Sequence, residues 1–386
     1  MKILHVISTM NPDFGGPVEN IKLYCRKYQK FKSTGEVICS DSPFSMWRSK
    51  KNLPRVYFLG PGYFNYSLNL NLDKWLNRNL NKYDFVIING LWQYHSYATY
   101  KACIKFKKPY FVFTHGMLDP YFNKENPIKL IKKYVYWFLF ERHVIKNANK
   151  VLFTTREEKK LARLSFKPYK CNETFIGYGI EGIKKKLKKN KKNKKNFLNK
   201  YNLNNKKYLL YLGRFHKKKG INLLIEAFRK SIKKNKNLYL VLSGPKNKYF
   251  SKEILTQIKK YDIKNNIIIT GALRNDLKWQ ALTNSLALCL TSHQENFGIV
   301  IAESLSCGKP VLITDQVNTF KTVKKYNAGI VSKNNVKSIT GMLEKFLEVD
   351  KKKYNKYCAN AKKCFIENYK IDKPVQNLLK LIKKEL

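Results

Sequence analysis

Acidic residues are scarce in this 386-residue chain: 26 Asp and Glu stand against 77 Lys and Arg, for a formal net charge of +51. Such an excess ordinarily points to polyanions, because neutralising phosphates is the sequence-independent part of nucleic-acid binding. Arginine, however, supplies only 10 of those 77 cations. The planar guanidinium fork is the residue of choice for base edges and phosphates, so no nucleic-acid partner is expected. Joint Lys and Asn enrichment through both halves is what A/T-rich codons produce. Long apolar runs are also missing, the greasiest being Tyr134–Phe140, far short of the 18 or so residues that a membrane span needs. The apolar start before Ser8 is shorter than a secretory h-region and lacks a small-residue cleavage pattern, so it reads as a first buried strand. Eight cysteines contain no Cys-x-x-Cys pair, which argues against a zinc cluster or redox dithiol. Reduced thiols in a cytoplasm are expected, in a protein that is soluble or peripheral on the inner face of the cytoplasmic membrane.

Short runs rich in Val, Ile, Phe and Tyr alternate with longer segments of helical period, the pattern of parallel sheets built from βαβ units. Strands are expected at Ile3–Ser8, Glu36–Ser40, Val56–Leu59, Phe85–Asn89, Tyr110–Thr114, Val151–Thr154 and Thr174–Ile176, then at Tyr208–Gly213, Leu238–Ser243, Ile267–Thr270, Leu286–Leu290, Pro310–Ile313 and Gly329–Val331. The fold class is α/β with two Rossmann-like, doubly wound parallel-sheet domains. Their expected extents are 1–183 and 206–386, joined by a Lys/Asn-rich linker over 184–205 that like-charge repulsion keeps solvated. The tail Lys351–Leu386 reads as two helices, with Val375, Leu378, Leu379 and Ile382 on one buried face; the last may pack back on the N-terminal domain. Lys129–Phe140 interleaves lysines with aromatics; a helix packed on the sheet is expected there, with contact to an anionic membrane surface as the alternative.

Gly177-Tyr-Gly-Ile-Glu-Gly182 matches a dinucleotide fingerprint by letter only. It runs into the Lys-rich stretch instead of opening a helix, and no ribose-binding acid follows about 20 residues on. A Gly-permitted turn is expected. No Walker A loop occurs, and no Ser or Cys sits in a recognisable nucleophile setting.

The strongest signal is Thr291-Ser-His-Gln-Glu-Asn-Phe-Gly-Ile-Val-Ile-Ala-Glu-Ser-Leu-Ser-Cys-Gly-Lys-Pro310. It lies between two expected strands, so its polar start falls at the carboxyl edge of a parallel sheet, where such proteins bind ligands. A helix beginning near Phe297–Gly298 would leave Glu295 in the loop and Glu303 about a turn and a half in. The N–H groups of Asn296, Phe297, Gly298, Ile299 and Val300, together with the helix dipole, would then face an anion. Carboxylates beside an anion-attracting helix end suit a ligand with both phosphates and vicinal hydroxyls, such as a nucleotide sugar.

Here the sequence resembles the retaining glycosyltransferases of family 4, which have the GT-B architecture of two facing domains. Glu295 and Glu303, with the intervening Phe297-Gly298, match their Glu-x7-Glu signature, and Cys307-Gly-Lys-Pro-Val311 matches the step after it. A second family block, Gly-Arg…Lys-Gly, appears as Leu212-Gly-Arg-Phe-His-Lys-Lys-Lys-Gly220. There Arg214 can reach a diphosphate with a planar fork and Lys219 with a point charge. In the N-terminal half, Gly15 and Gly16 stand in a Gly-rich loop after the first strand, and His115 in Thr114-His-Gly-Met-Leu118 resembles polysaccharide-building members.

The resemblance implies transfer of a sugar from a UDP- or GDP-sugar donor to a saccharide, expected to be lipid-linked, with retention of configuration. Glu303 would take the ribose hydroxyls, Glu295 and the Asn296–Gly298 backbone the donor sugar, and His115 a place near the transferred sugar at the interdomain cleft. No cofactor is implied. The chain has no Asp-x-Asp, the usual metal-diphosphate anchor of the other large glycosyltransferase architecture, so metal independence is expected, with Arg214, Lys219 and the helix terminus stabilising the leaving diphosphate. The alternatives are another GT-B enzyme such as an epimerase, or a non-catalytic basic protein that binds membrane or nucleic acid.

Overall fold

The computed structural model describes residues 1–48, 53–123, 127–183, 191–232 and 237–386. The chain divides into two units, the first made of Met1–Gly179 and Ile371–Leu386, the second of Ile180–Lys370. The first unit holds a seven-stranded sheet: β1 (Lys2–Ile7), β2 (Thr34–Cys39), β3 (Arg55–Phe58), β4 (Phe85–Asn89), β5 (Tyr110–Phe113), β6 (Lys150–Phe153) and β7 (Glu173–Phe175), in the spatial order β3-β2-β1-β4-β5-β6-β7. The second holds β8 (Lys207–Leu212), β9 (Leu238–Ser243), β10 (Ile267–Gly271), β11 (Ala287–Leu290), β12 (Val311–Thr314) and β13 (Gly329–Ser332), ordered β10-β9-β8-β11-β12-β13. Every pairing between these strands is parallel. Each sequence-expected strand is present, with ends displaced by at most two residues.

Parallel strands are covered on both faces, which is why their sequences read as continuous apolar runs. In the first unit Leu4, Val6, Val86, Ile88 and Val112 face one core with Trp137, while Ile3, Ile7, Phe85, Ile87 and Phe111 face the other with Tyr24. The helix Asp372–Glu385 closes the second of these, burying Val375, Leu378, Leu379 and Ile382. Each such side chain contributes roughly 1.5–3 kcal/mol of transfer free energy. The helix Lys351–Asn368 precedes it, its start capped by Asp350, which accepts from the Lys353 N–H at 2.6 Å.

Two segments differ from expectation. Of the Lys/Asn-rich linker, 184–190 lies outside the described residues, but Lys191–Lys200 is a helix. Phe197 and Leu203 are almost wholly buried there, and the Phe197 N–H donates to Gln280 Oε1 at 2.9 Å. Two apolar side chains thus seat this segment on the second unit despite its lysines. The helix Pro127–Tyr136 does pack Leu130 inward, yet Ile128, Ile131, Val135, Phe138 and Leu139 remain 53–69% exposed. Gly177–Gly182 opens no helix, as expected.

Candidate active site

In both sheets the order reverses beside the first strand, at β1/β4 and at β8/β11. These switch points are where crossover connections diverge and leave a crevice at the strands' carboxyl ends. In the second unit the loops that follow β8 and β11 are the two motif loops. Arg214 stands two residues past β8, exposed, while its carbonyl accepts from the Tyr211 hydroxyl at 2.8 Å and the next residue, Phe215, is fully buried. The backbone at Arg214 is therefore fixed and the guanidinium projects into solvent. Lys217–Lys219 form a short turn of helix capped by His216, which gives that exposed histidine a structural task.

The two loops are fastened together. The His293 N–H donates to the Lys218 carbonyl at 2.7 Å, and the Thr291 hydroxyl to the Gly220 carbonyl at 2.8 Å. Gly220 has φ +59°, and a Cβ on it would lie 2.1 Å from the Thr291 carbonyl oxygen, so no other residue fits. Lys219 makes an ion pair with Glu295 Oε2, their side chains only 13% and 16% exposed. Lys218 adds a bond from Nζ to Gln294 Oε1 at 3.1 Å. Burial alone would raise the Glu295 pKa, but Lys219 first, then Lys218 and Arg214, hold its carboxyl below the usual range.

Glu295 is also gripped by its backbone, donating to the Gln316 carbonyl at 3.1 Å and accepting from the Asn318 N–H at 2.9 Å. Asn296 Oδ1 accepts from Asn318 Nδ2 at 3.2 Å, and Phe297 is buried edge-on against Tyr369. Gly298 caps the helix Ile299–Ser306 in the left-handed region, with no side-chain hydrogen bond closing that helix end. Ile299 and Val300 are half-buried in its first turn. Glu303 is buried, and Lys278 of the helix Asn275–Asn284 binds its Oε1 at 2.5 Å. The structure thus brings together Arg214, Lys219, Glu295 and the segment Asn296–Val300, with Glu303 in the same short helix. Sequence reasoning missed Lys278, which carries no signal among 67 lysines.

In the first unit Gly15 (φ +81°) caps the helix Gly16–Tyr28 without a side chain, and the Tyr178 hydroxyl donates to the Gly16 carbonyl at 2.8 Å. Asp41, at the end of β2, receives the Thr9 hydroxyl and the Met10 N–H, both at 2.6 Å, and so pins the start of that loop. His115 follows β5 with φ +50°, its ring stacked on Phe113 at 4.7 Å. Its Nε2 is 3.3 Å from Asn89 Oδ1, whose amide nitrogen is 3.3 Å from His5 Nδ1, and His5 Nε2 is 3.0 Å from the Tyr28 hydroxyl. Since the Asn89 amide accepts at one end and donates at the other, it sets both tautomers: His115 carries its proton on Nε2 and leaves Nδ1 as an acceptor. Burial, then the neighbouring His5, pushes the His115 pKa down to about 3, so the ring is neutral at physiological pH. Asn89 and Asp41 were not singled out from sequence.

Residues 190–364 match the glycosyl transferases group 1 family. An alpha-1,3/1,6-mannosyltransferase of Dictyostelium discoideum is 26% identical over 197 residues, which is 47% of this chain and 47% of that protein. The chain therefore spans about half the length of that curated relative. Among solved structures, Anabaena HepE in complex with UDP-glucose superposes with a TM-score of 0.78 at 17% identity, covering 100% of both chains. WaaG, a glycosyltransferase involved in lipopolysaccharide biosynthesis, gives 0.72 at 16% identity over 97% of this chain and 98% of its own. At such identities the likeness concerns the fold, which is that of the GT-B glycosyltransferases. Both motif loops of the second unit fall inside the matched stretch, and this region of the chain belongs to the glycosyl transferases group 1 family.

Proposed function

We propose that the protein transfers a glycosyl group from a nucleoside diphosphate sugar to a saccharide hydroxyl, with retention of configuration and without a metal ion. The observation that carries this reading is the Lys219–Glu295 pair, which joins a cationic loop carrying Arg214 to a carboxylate loop ending at an uncapped helix start. A diphosphate needs the first, and sugar and ribose hydroxyls need the second. Arg214 and Lys219 supply the charge that a diphosphate-bound metal would otherwise provide, Glu303 takes the ribose, and neutral His115 offers Nδ1 to the transferred sugar. The UDP-glucose complex of HepE favours a uridine donor, and the lipopolysaccharide role of WaaG favours a lipid-linked envelope acceptor.

A thermal-shift series with UDP- and GDP-sugars tests the donor. At 100 times its dissociation constant the right one adds about 2.7 kcal/mol of stability, and turnover with it persists in excess EDTA. Absence of any shift sinks the donor reading, whereas activity lost to EDTA and restored specifically by Mg²⁺ or Mn²⁺ sinks only the metal-free part.

The exposed stripe after His115 supports a lipid-linked acceptor. Ile128, Ile131, Val135, Phe138 and Leu139 recur at helical spacing and face outward. Around them stand Lys132, Arg142 and Lys146, while the one acid between 127 and 150, Glu141, is buried. An apolar face rimmed by cations with no exposed acid fits an anionic bilayer, each nearby cation adding about 1 kcal/mol. Vesicles containing phosphatidylglycerol are expected to sediment the protein in a salt-sensitive manner. Ile131→Glu with Phe138→Glu should weaken this about tenfold or more; unchanged partitioning of that double variant would refute the docking face.

A further inference from the structure

Glu158 is 3% exposed, the third residue of the helix Arg156–Ala162, and it lies on the side of β5 and β6 where His115 emerges. Its carboxylate joins two loops. Oε1 accepts from the Thr114 hydroxyl and from the Gly116 N–H, both at 2.6 Å, so it grips the residue on each side of His115. Oε2 accepts from the Thr154 N–H at 2.7 Å and from the Thr154 hydroxyl, at the end of the neighbouring strand. His115 and Gly116 both have positive φ, +50° and +82°. A left-handed non-glycine residue persists only where its surroundings over-determine it. The tight turn they make is what aims the Gly116 N–H at Glu158.

We propose that Glu158 is a positioning residue for the transfer reaction, holding the His115 backbone so that the imidazole meets Asn89 on one side and the sugar on the other. This rests on the role given to His115 above. The side chain must be a carboxylate. A hydroxyl can turn to accept, but the Gly116 and Thr154 N–H groups can only donate, and one lies at each oxygen. An amide of the same shape would set its NH₂ against one of them, and aspartate is one methylene too short to reach both loops.

The test compares Glu158→Gln with His115→Ala and with Asn69→Ala. Asn69 caps a helix elsewhere in the unit, accepting from the Asn71 N–H at 3.1 Å, so its loss lowers the melting temperature without touching the His115 loop. Glu158→Gln is expected to lower kcat about thirtyfold while donor KM stays within about twofold. It should also shift the His115 imidazole nitrogen resonances in histidine-labelled protein, whereas Asn69→Ala leaves both kcat and those resonances unchanged. A Glu158→Gln enzyme with wild-type kcat beside an inactive His115→Ala enzyme overturns the proposal. An active His115→Ala enzyme overturns the role of His115 instead, and the resonances then still report whether Glu158 positions the ring. Should Glu158→Gln fail to fold, Thr114→Val removes one donor only, and a kcat unchanged in that variant would equally overturn the assignment.

Discussion

Arg214→Ala is expected to lower kcat/KM about a hundredfold, or roughly 3 kcal/mol, the scale of losing one preorganised electrostatic donor. Negative charge grows on the departing diphosphate in the transition state, and a bidentate guanidinium tightens its hold as it does so, so kcat falls along with donor affinity. Arg214→Lys should recover only part, because an ammonium cannot supply the fork. The structure separates this loss from unfolding. Arg214 is exposed, and its loop is anchored through its carbonyl and through buried Phe215. Truncating the side chain should therefore change stability by no more than about 0.5 kcal/mol. Steady-state kinetics on the folded variants decide the matter. An alanine enzyme within threefold of wild type would mean that Lys219 and the helix start hold the diphosphate without Arg214.

What could be read from the sequence follows physical range. The strands were legible because each is buried on both faces and must be apolar throughout. The motif loops were legible because their chemistry is compressed into a few consecutive residues after a strand. Contacts between distant residues left no such trace. Lys278 reaches Glu303 across 25 positions, Glu158 reaches Thr114 across 44, and Asn89 links His5 to His115. Each is a common residue type whose neighbours in sequence say nothing of its partner. The helix Lys191–Lys200 escaped for the opposite reason: its many lysines outweighed the single buried Phe197. The stripe from Ile128 to Leu139 is apolar at helical period, and period alone does not tell an outward face from an inward one.

The pairing of Lys219 with Glu295 leads to a prediction in which stability and activity part company. Lys219→Met leaves the Glu295 carboxylate largely buried without its nearest cation, and breaking a buried pair from one side costs on the order of 3 kcal/mol. The variant should also respond differently to acid. In the wild-type protein the folded Glu295 pKa lies below the unfolded one. Its stabilising contribution is thus fully present above the unfolded value of about 4.3 and is lost as pH falls through the folded value. Without Lys219, burial becomes the dominant influence and the folded pKa moves up, so lowering the pH toward the carboxylate range should relieve the variant of part of its penalty. Adding Glu295→Gln to Lys219→Met removes the stranded charge and should restore most of the lost stability. It should restore no turnover, because the donor diphosphate still lacks a cation and the sugar now lacks its carboxylate. Denaturant melts and kinetics on the two single variants and the double variant form a complete cycle. If the double variant regained activity together with stability, the pair would be a brace for the two loops and not the part of the site that meets the donor.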